Sequence, residues 1–275
     1  MTRTSVRDYY ESNTSKFLLF GAEGAIHREL WAPGVTNKAE AVHHVHTLIL
    51  REMDAVSADG RARVLDLGCG VGAADRFLVA YRPARVYGVS ISPRQVMLAR
   101  GWRSQGQTVG ECSFHEADFC ALPPGLVSDL RPIDVAFAIE AFVHAPSATA
   151  FFREAASVLR PGGRLVLVDD FLSGPHDGPL IADVRAGWHM QSLLEVSSVA
   201  SLAQAHGLTM LEAYDLSPFQ RLGRPRDKVV HALRPLLRCA SRFSPWAQSL
   251  VGGDALQACH QRGEITYQLI RFERS

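Results

Sequence analysis

Three stretches of this chain bring together residue types that chemistry can use. Val64-Leu-Asp-Leu-Gly-Cys-Gly-Val-Gly72 sets a carboxylate, Asp66, within an apolar run and follows it with Gly68, Gly70 and Gly72. Val64, Leu65 and Leu67 read as a buried strand, the glycines let backbone approach a ligand, and Ala73 to Tyr81 has helical spacing. Such a corner lies at the carboxyl end of a parallel strand, where doubly wound sheets bind ligands. Gly68, Gly70 and Ala73 formally satisfy the G-x-G-x-x-G/A dinucleotide pattern. Asp66, however, suits a cationic ligand better than a pyrophosphate, and Ser90 stands where the ribose-binding acid is expected about 20 residues on. A second carboxylate, Glu140, follows the strand-like run Ile133 to Ile139, which is apolar from Val135 onward, and an acid there is hard to explain by packing. His144 is the first choice for a base near neutrality.

The elements that must position these groups follow an alternating pattern from residue 61. Strands are expected at 64–67, 85–91, 113–116, 133–139, 164–170 and 208–215, with an antiparallel strand at 265–273 beside the sixth. Between them lie helical stretches, including one capped by Ser92 with Pro93 at its first position, one over 146–159 closed by Arg160-Pro-Gly-Gly163, and one over 197–206. This predicts an α/β fold with a doubly wound seven-stranded sheet over 61–275. Residues 171–196 and 218–262 have no partner in the alternation and read as helical cap insertions. Residues 1–60 read as an N-terminal helical lid, with Tyr9-Tyr10, Phe17 to Phe20 and Ile26 to Trp31, then a helix over 37–54 with Val42, Val45, Leu48, Ile49 and Met53 on one face.

Composition narrows the classes further. Twenty-nine Lys and Arg against 28 Asp and Glu give a net charge of +1, which excludes an electrostatic nucleic-acid binder and favours a small-molecule substrate. No apolar run reads as a signal peptide or membrane span, so a cytoplasmic protein is expected. Five cysteines without paired C-x-x-C spacing indicate neither a disulfide framework nor zinc. His43, His44 and His46 are too close on a helix for more than two to share a face, so no metal is assigned. Homo-oligomerisation is left open.

The glycine corner resembles motif I of the class I S-adenosylmethionine-dependent methyltransferases, whose fold is the Rossmann-like sheet described above. Gly88-Val-Ser-Ile-Ser-Pro-Arg-Gln95 is similar to the branch with sterol methyltransferases and cyclopropane-forming enzymes, which implies that Ser90 and Gln95 share the ribose contact. Ala117-Asp118-Phe119 resembles the adenine-binding motif, with Asp118 accepting from the amino group and the Phe119 backbone N–H meeting a ring nitrogen. Ala138 to Pro146 closely resembles the matching segment of sterol C-methyltransferases, and Glu140 stands where prenyl diphosphate C-methyltransferases use a glutamate. The resemblance runs over 60–170, weakly into the first 35 residues, and is weakest in 171–275.

The resemblance implies methyl transfer from S-adenosylmethionine to a carbon of an isoprenoid alkene. Attack by an alkene leaves a carbocation that needs a nearby anion and then a base, roles available to Glu140. Aromatic faces also stabilise cations, which nominates Tyr9, Phe17, Phe20, Trp31, Phe142, Phe171 and Trp188 along the substrate. Arg28, Arg185, His189, Arg221, Arg224 and Arg226 are the cations available to a diphosphate. The rival enzyme reading is O- or N-methylation of a natural product with His144 as base, and the non-enzyme rival is a cofactor-binding subunit.

Overall fold

The computed structural model describes residues 6–20, 24–101 and 108–275, without the side chains of Tyr9 and residues 15–20. Helices α1 (Val6–Phe20) and α2 (Lys38–Val56) precede β1 (Arg63–Leu67), α3 (Ala73–Tyr81), β2 (Arg85–Ser90), α4 (Pro93–Gly101) and β3 (Glu111–Glu116). Then come α5 (Pro124–Leu130), β4 (Ile133–Ile139), α6 (Ala148–Val158), β5 (Leu159–Leu172), α7 (Pro179–Trp188), α8 (Val196–Gln204) and β6 (Leu208–Asp215). The chain continues through α9 (Pro225–Ala232), α10 (Arg234–Ala240) and α11 (Pro245–Gln261) to β7 (Ile265–Arg274). The seven strands form one sheet in the order β3-β2-β1-β4-β5-β7-β6, with β7 antiparallel to both neighbours. The order reverses at β1, so the carboxyl ends of β1 and β4 open a crevice between connections that run to opposite sides.

Period-two alternation along each strand builds the two layers. Leu65 and Leu67, Ala136 and Ala138, Leu165 and Leu167 face a core closed by Phe151 and Phe152 of α6 and Val199 of α8. Val64, Val135 and Phe137, Val166 and Val168 face the other way, against Val45, Ile49 and Met53 of α2 and Leu78 of α3. Local capping sets the helix starts: Asn37 accepts from the Glu40 N–H at 3.0 Å before α2, and Ser92 accepts from the Gln95 N–H at 3.1 Å before α4. The Arg160-Pro-Gly-Gly163 stretch lies within β5, which begins at Leu159 with a register shift against β4.

Helices α7, α9, α10 and α11 lie outside the strand–helix alternation. Ile181 and Val184 of α7 pack with Ala255, Leu256 and Cys259 of α11 in a separate apolar cluster that also takes in Val143, just after β4. The two helices approach closely: a Cβ on Gly187 would lie 2.5 Å from the Cα of Gly252. No described helix is long and apolar enough to cross a membrane.

Candidate active site

The glycine corner turns between β1 and α3 with positive φ at Gly68, Gly70 and Gly72, but the three glycines serve different needs. A Cβ on Gly68 would sit 2.5 Å from that of Ala141, so this glycine lets β1 and the turn after β4 close together. Gly70 has open space beyond it, its nearest neighbour being Ile26 Cδ1 at 3.8 Å, and it lines a large cavity. Gly72, expected to face the ligand, instead packs on Phe114, whose ring would lie 2.6 Å from its Cβ, and is not among the described cavity-lining residues. Asp66 lines the cavity from the end of β1, almost fully buried beside Asp75 of α3. Desolvation first, then the Asp75 carboxyl, pushes Asp66 well above the usual carboxylate range, and Asp75 is raised to about 7 by burial.

Ser90 and Gln95 meet as the sequence suggests, and both are buried. The Ser90 hydroxyl donates to Gln95 Oε1 at 2.8 Å, and Gln95 Nε2 donates to Thr14 Oγ1 of α1 at 3.3 Å. Helix α1 is therefore stitched to this wall. Its Glu11 carboxylate accepts from the Ser92 hydroxyl and, at 3.1 Å, from the Arg94 N–H, an anion at the start of α4. Asp118 and Phe119 also line the cavity; one Asp118 oxygen accepts from the Cys120 N–H at 2.8 Å.

Glu140 occupies a left-handed backbone conformation, φ 49°, directly after β4, with its N–H bonded to the Val168 carbonyl at 2.8 Å. That turn aims the carboxylate into the cavity. Its Oε1 accepts from the Arg28 backbone N–H and from the Tyr267 hydroxyl, both at 2.9 Å, and Arg28 Nε lies 3.3 Å away. The Arg28 guanidinium also forks onto Asp170, which accepts from His260 at 3.0 Å as well. Burial opposes these charges, but Asp170 and Glu140 hold Arg28 above its ordinary value, while Arg28 and His260 hold Asp170 below its own. Burial, reinforced by the Glu140 charge, raises the Tyr267 phenol well above its usual value, so it remains a donor. Tyr267, Asp170 and His260 were not signalled by any local motif; they are delivered by β7, β5 and α11.

His144 is buried in a short turn of 3-10 helix at Phe142–His144, with the Tyr10 hydroxyl 2.9 Å from its Nε2. Burial lowers it to about 4, which keeps it neutral. Phe142 and Phe171, expected against the substrate, are fully buried in an aromatic core with Phe151 and Phe152, because the apolar face of β4–β5 is sealed by α6. Trp188 and Trp31 line the cavity, but the Arg221 guanidinium lies 3.3 Å from the Trp31 ring centroid and covers one face. Arg185 lines it too, its guanidinium held by the Leu193 carbonyl at 2.7 Å. The side chains of Tyr9, Phe17 and Phe20 lie outside the described residues. His43 and His46 do share a face, and His46 joins them to His27: His46 lies 3.1 Å from His43 and 2.7 Å from His27, ring nitrogen to ring nitrogen.

These groups surround one cavity of about 1710 Å³, walled by the β1 and β4 ends, α1, the segment 24–31 and the cap helices. A family model described as a methyltransferase domain matches residues 65–167. An O-methyltransferase, cnsE, of Penicillium expansum is 31% identical over 78% of this chain and 76% of its own length. The methyltransferase GfsG of Streptomyces halstedii is 33% identical over 77% of this chain and 75% of its own. The chain is a class I methyltransferase. Its methyl donor is S-adenosylmethionine, and the open space at Gly70 beside the Asp66 carboxylate fits that group. A 24-methylenesterol C-methyltransferase of Oryza sativa subsp. japonica is 30% identical over 61% of this chain and 47% of its own length. Among solved structures, that of the cyclopropane synthase MmaA2 from Mycobacterium tuberculosis has the same fold, with TM-score 0.72, 16% identity, and 99% and 96% of the two chains covered.

Proposed function

We propose that this methyltransferase transfers the methyl group to a carbon of an alkene in a lipophilic, isoprenoid-type substrate. The observation that carries the reading is the Glu140 carboxylate, turned into the cavity by a left-handed residue and fixed by Tyr267 and the Arg28 N–H. Bound at the corner, the cofactor supplies an electrophilic methyl group. Asp66 would hold its cationic amino-acid end, Ser90 and Gln95 the ribose, and Asp118 and Phe119 the adenine. Glu140 then lies opposite the positive charge that develops on the substrate carbon and takes the proton that restores the double bond. Arg28 is bound to two carboxylates and the Arg185 guanidinium to carbonyl oxygens, so neither offers a free charge to a diphosphate. His189, Arg221, Arg224 and Arg226 line the cavity as well, and the name of the sterol C-methylating relative supports carbon as acceptor.

A second reading, methylation of a hydroxyl, is favoured by the name of the O-methyltransferase relative and by the neutral His144 beside Tyr10. Glu140→Gln and His144→Ala separate the two. Carbon methylation expects Glu140→Gln to retain cofactor affinity and lose roughly a hundredfold or more in turnover, with a smaller loss for His144→Ala. A dead His144 variant beside an active Glu140→Gln would overturn it in favour of oxygen methylation. Loss of cofactor affinity in Glu140→Gln, with turnover at saturation preserved, would assign the carboxylate to the cofactor instead.

A further inference from the structure

Helices α9 and α10 reverse the polarity expected of a water-facing helix pair. Among the described residues, five of the eleven exposed large apolar side chains fall between Leu222 and Phe243. Val229, Leu233 and Leu236 repeat at spacings of four and three, which keeps them on one side of a nearly continuous helical run; Leu236 is 71% and Phe243 83% exposed. The opposite side carries the polar anchors. Arg234 pairs with Asp183 and Asp254 at 2.9 and 3.0 Å, Asp227 is buried, and Val230 faces the substrate cavity.

Charge is segregated in the same place. Residues 221–244 hold seven Lys and Arg against one acid, Asp227, a net of six positive charges in a chain whose total is +1. The rest of the chain is net negative by five, and three of its acids, Glu29, Asp183 and Asp254, pair with Arg224, Arg234 and Arg238 of this segment. Lys228 and Arg242 are exposed without an ion pair among the described residues, and Arg226, 67% exposed, lies at the rim of the cavity.

We infer that this face docks the enzyme on an anionic lipid surface, with Leu236 and Phe243 entering the headgroup layer and the surrounding cations meeting lipid phosphates. Projecting apolar side chains flanked by the exposed cations Lys228 and Arg242 suit a charged bilayer surface. Arg221, Arg224 and Val230 belong both to this segment and to the cavity wall, so docking would place the substrate entrance at the membrane. The inference concerns binding and stands whether carbon or oxygen is methylated.

Sedimentation of the full chain with vesicles of phosphatidylcholine, with and without phosphatidylglycerol, tests it. Binding is expected only where phosphatidylglycerol is present, and high salt should release it. Leu236→Asp with Phe243→Asp should weaken vesicle affinity on the order of tenfold or more, and Lys228→Glu with Arg242→Glu should do likewise. Circular dichroism and cofactor affinity should not change in either variant, since these side chains are at the surface. Absence of sedimentation with either vesicle, or sedimentation indifferent to both variants, would overturn the inference. So would light scattering that shows a dimer abolished by Leu236→Asp with Phe243→Asp, which would assign the face to a second copy of the chain.

Discussion

The carboxylate of Glu140 is held by groups from both ends of the chain, and this makes its function sensitive to residues far from it in the sequence. Tyr267 donates one hydrogen bond to Oε1 and lies beneath the Arg28 guanidinium, 4.6 Å from its Cζ to the ring centroid. Tyr267→Phe keeps the ring and removes the donor. A hydrogen bond to a charged group is worth about 1.5–3 kcal/mol, so turnover should fall by roughly tenfold or more while cofactor affinity, measured by calorimetry, holds. Unchanged turnover would mean that the Arg28 N–H alone positions the carboxylate. His144 gives a residue-scale pH prediction. Its pKa in the folded protein is about 4 against 6.5 unperturbed, so its neutral form contributes fully above 6.5. As pH falls from 6.5 to 4 the unfolded chain takes up a proton that the folded chain refuses, and stability is lost over that window, on the order of 3 kcal/mol. The slope of Tm against pH between 7 and 4 should be shallower in His144→Asn than in the parent; equal slopes would place the acid sensitivity elsewhere.

At the scale of elements, α1 is fastened to the walls of the cavity by side chains rather than by backbone pairing. Glu11 joins it to the start of α4, Thr14 to Gln95, and Tyr10 to His144. Glu11→Ala removes the anion at that helix start, an effect of about 1 kcal/mol. Hydrogen exchange over residues 6–20 should accelerate and the cofactor Kd should rise several-fold; exchange unaltered by the substitution would make α1 fixed scaffold. How far such contacts can be read from a sequence depends on their range. The glycine corner, the Ser92 cap and the apolar run ending in Glu140 are local patterns, and each emerges where its residues predict. Gly72 and Phe142 illustrate the limit. A glycine next to a ligand and a glycine against a phenylalanine carry the same letter, and an aromatic two residues past Glu140 turns into the core or the cavity according to where α6 lies. Tyr267, Asp170 and His260 reach Glu140 and Arg28 through sheet pairing and a cap helix, so no spacing reveals them.

At the scale of the whole molecule, the cap depends on one close crossing. Helix α7 follows β5 and α11 precedes β7, and the two strands are paired antiparallel, so the sheet brings the helices side by side. Gly187 and Gly252 let their backbones touch. Trp188 and Arg185 of α7 and Gln257 and His260 of α11 all line the cavity, so the spacing at this crossing sets the cavity's width. A Cβ on Gly252 would lie 2.7 Å from Gly187 Cα and 2.9 Å from Trp188 Cδ1. Backbone cannot yield there as a side-chain tip can, and the helices must separate. Overpacking of this kind costs about 1–3 kcal/mol, which lowers Tm by roughly 2–12 °C in a chain of this size. Gly252→Ala should therefore unfold at lower temperature and bind substrate more weakly, with a raised KM. The β1 corner lies on other elements, so cofactor affinity should stay within about twofold, as distant sites act independently. An equal loss of cofactor and substrate binding would show that the cap and the sheet move as one body, whereas an unchanged Tm would show that the crossing has room to spare.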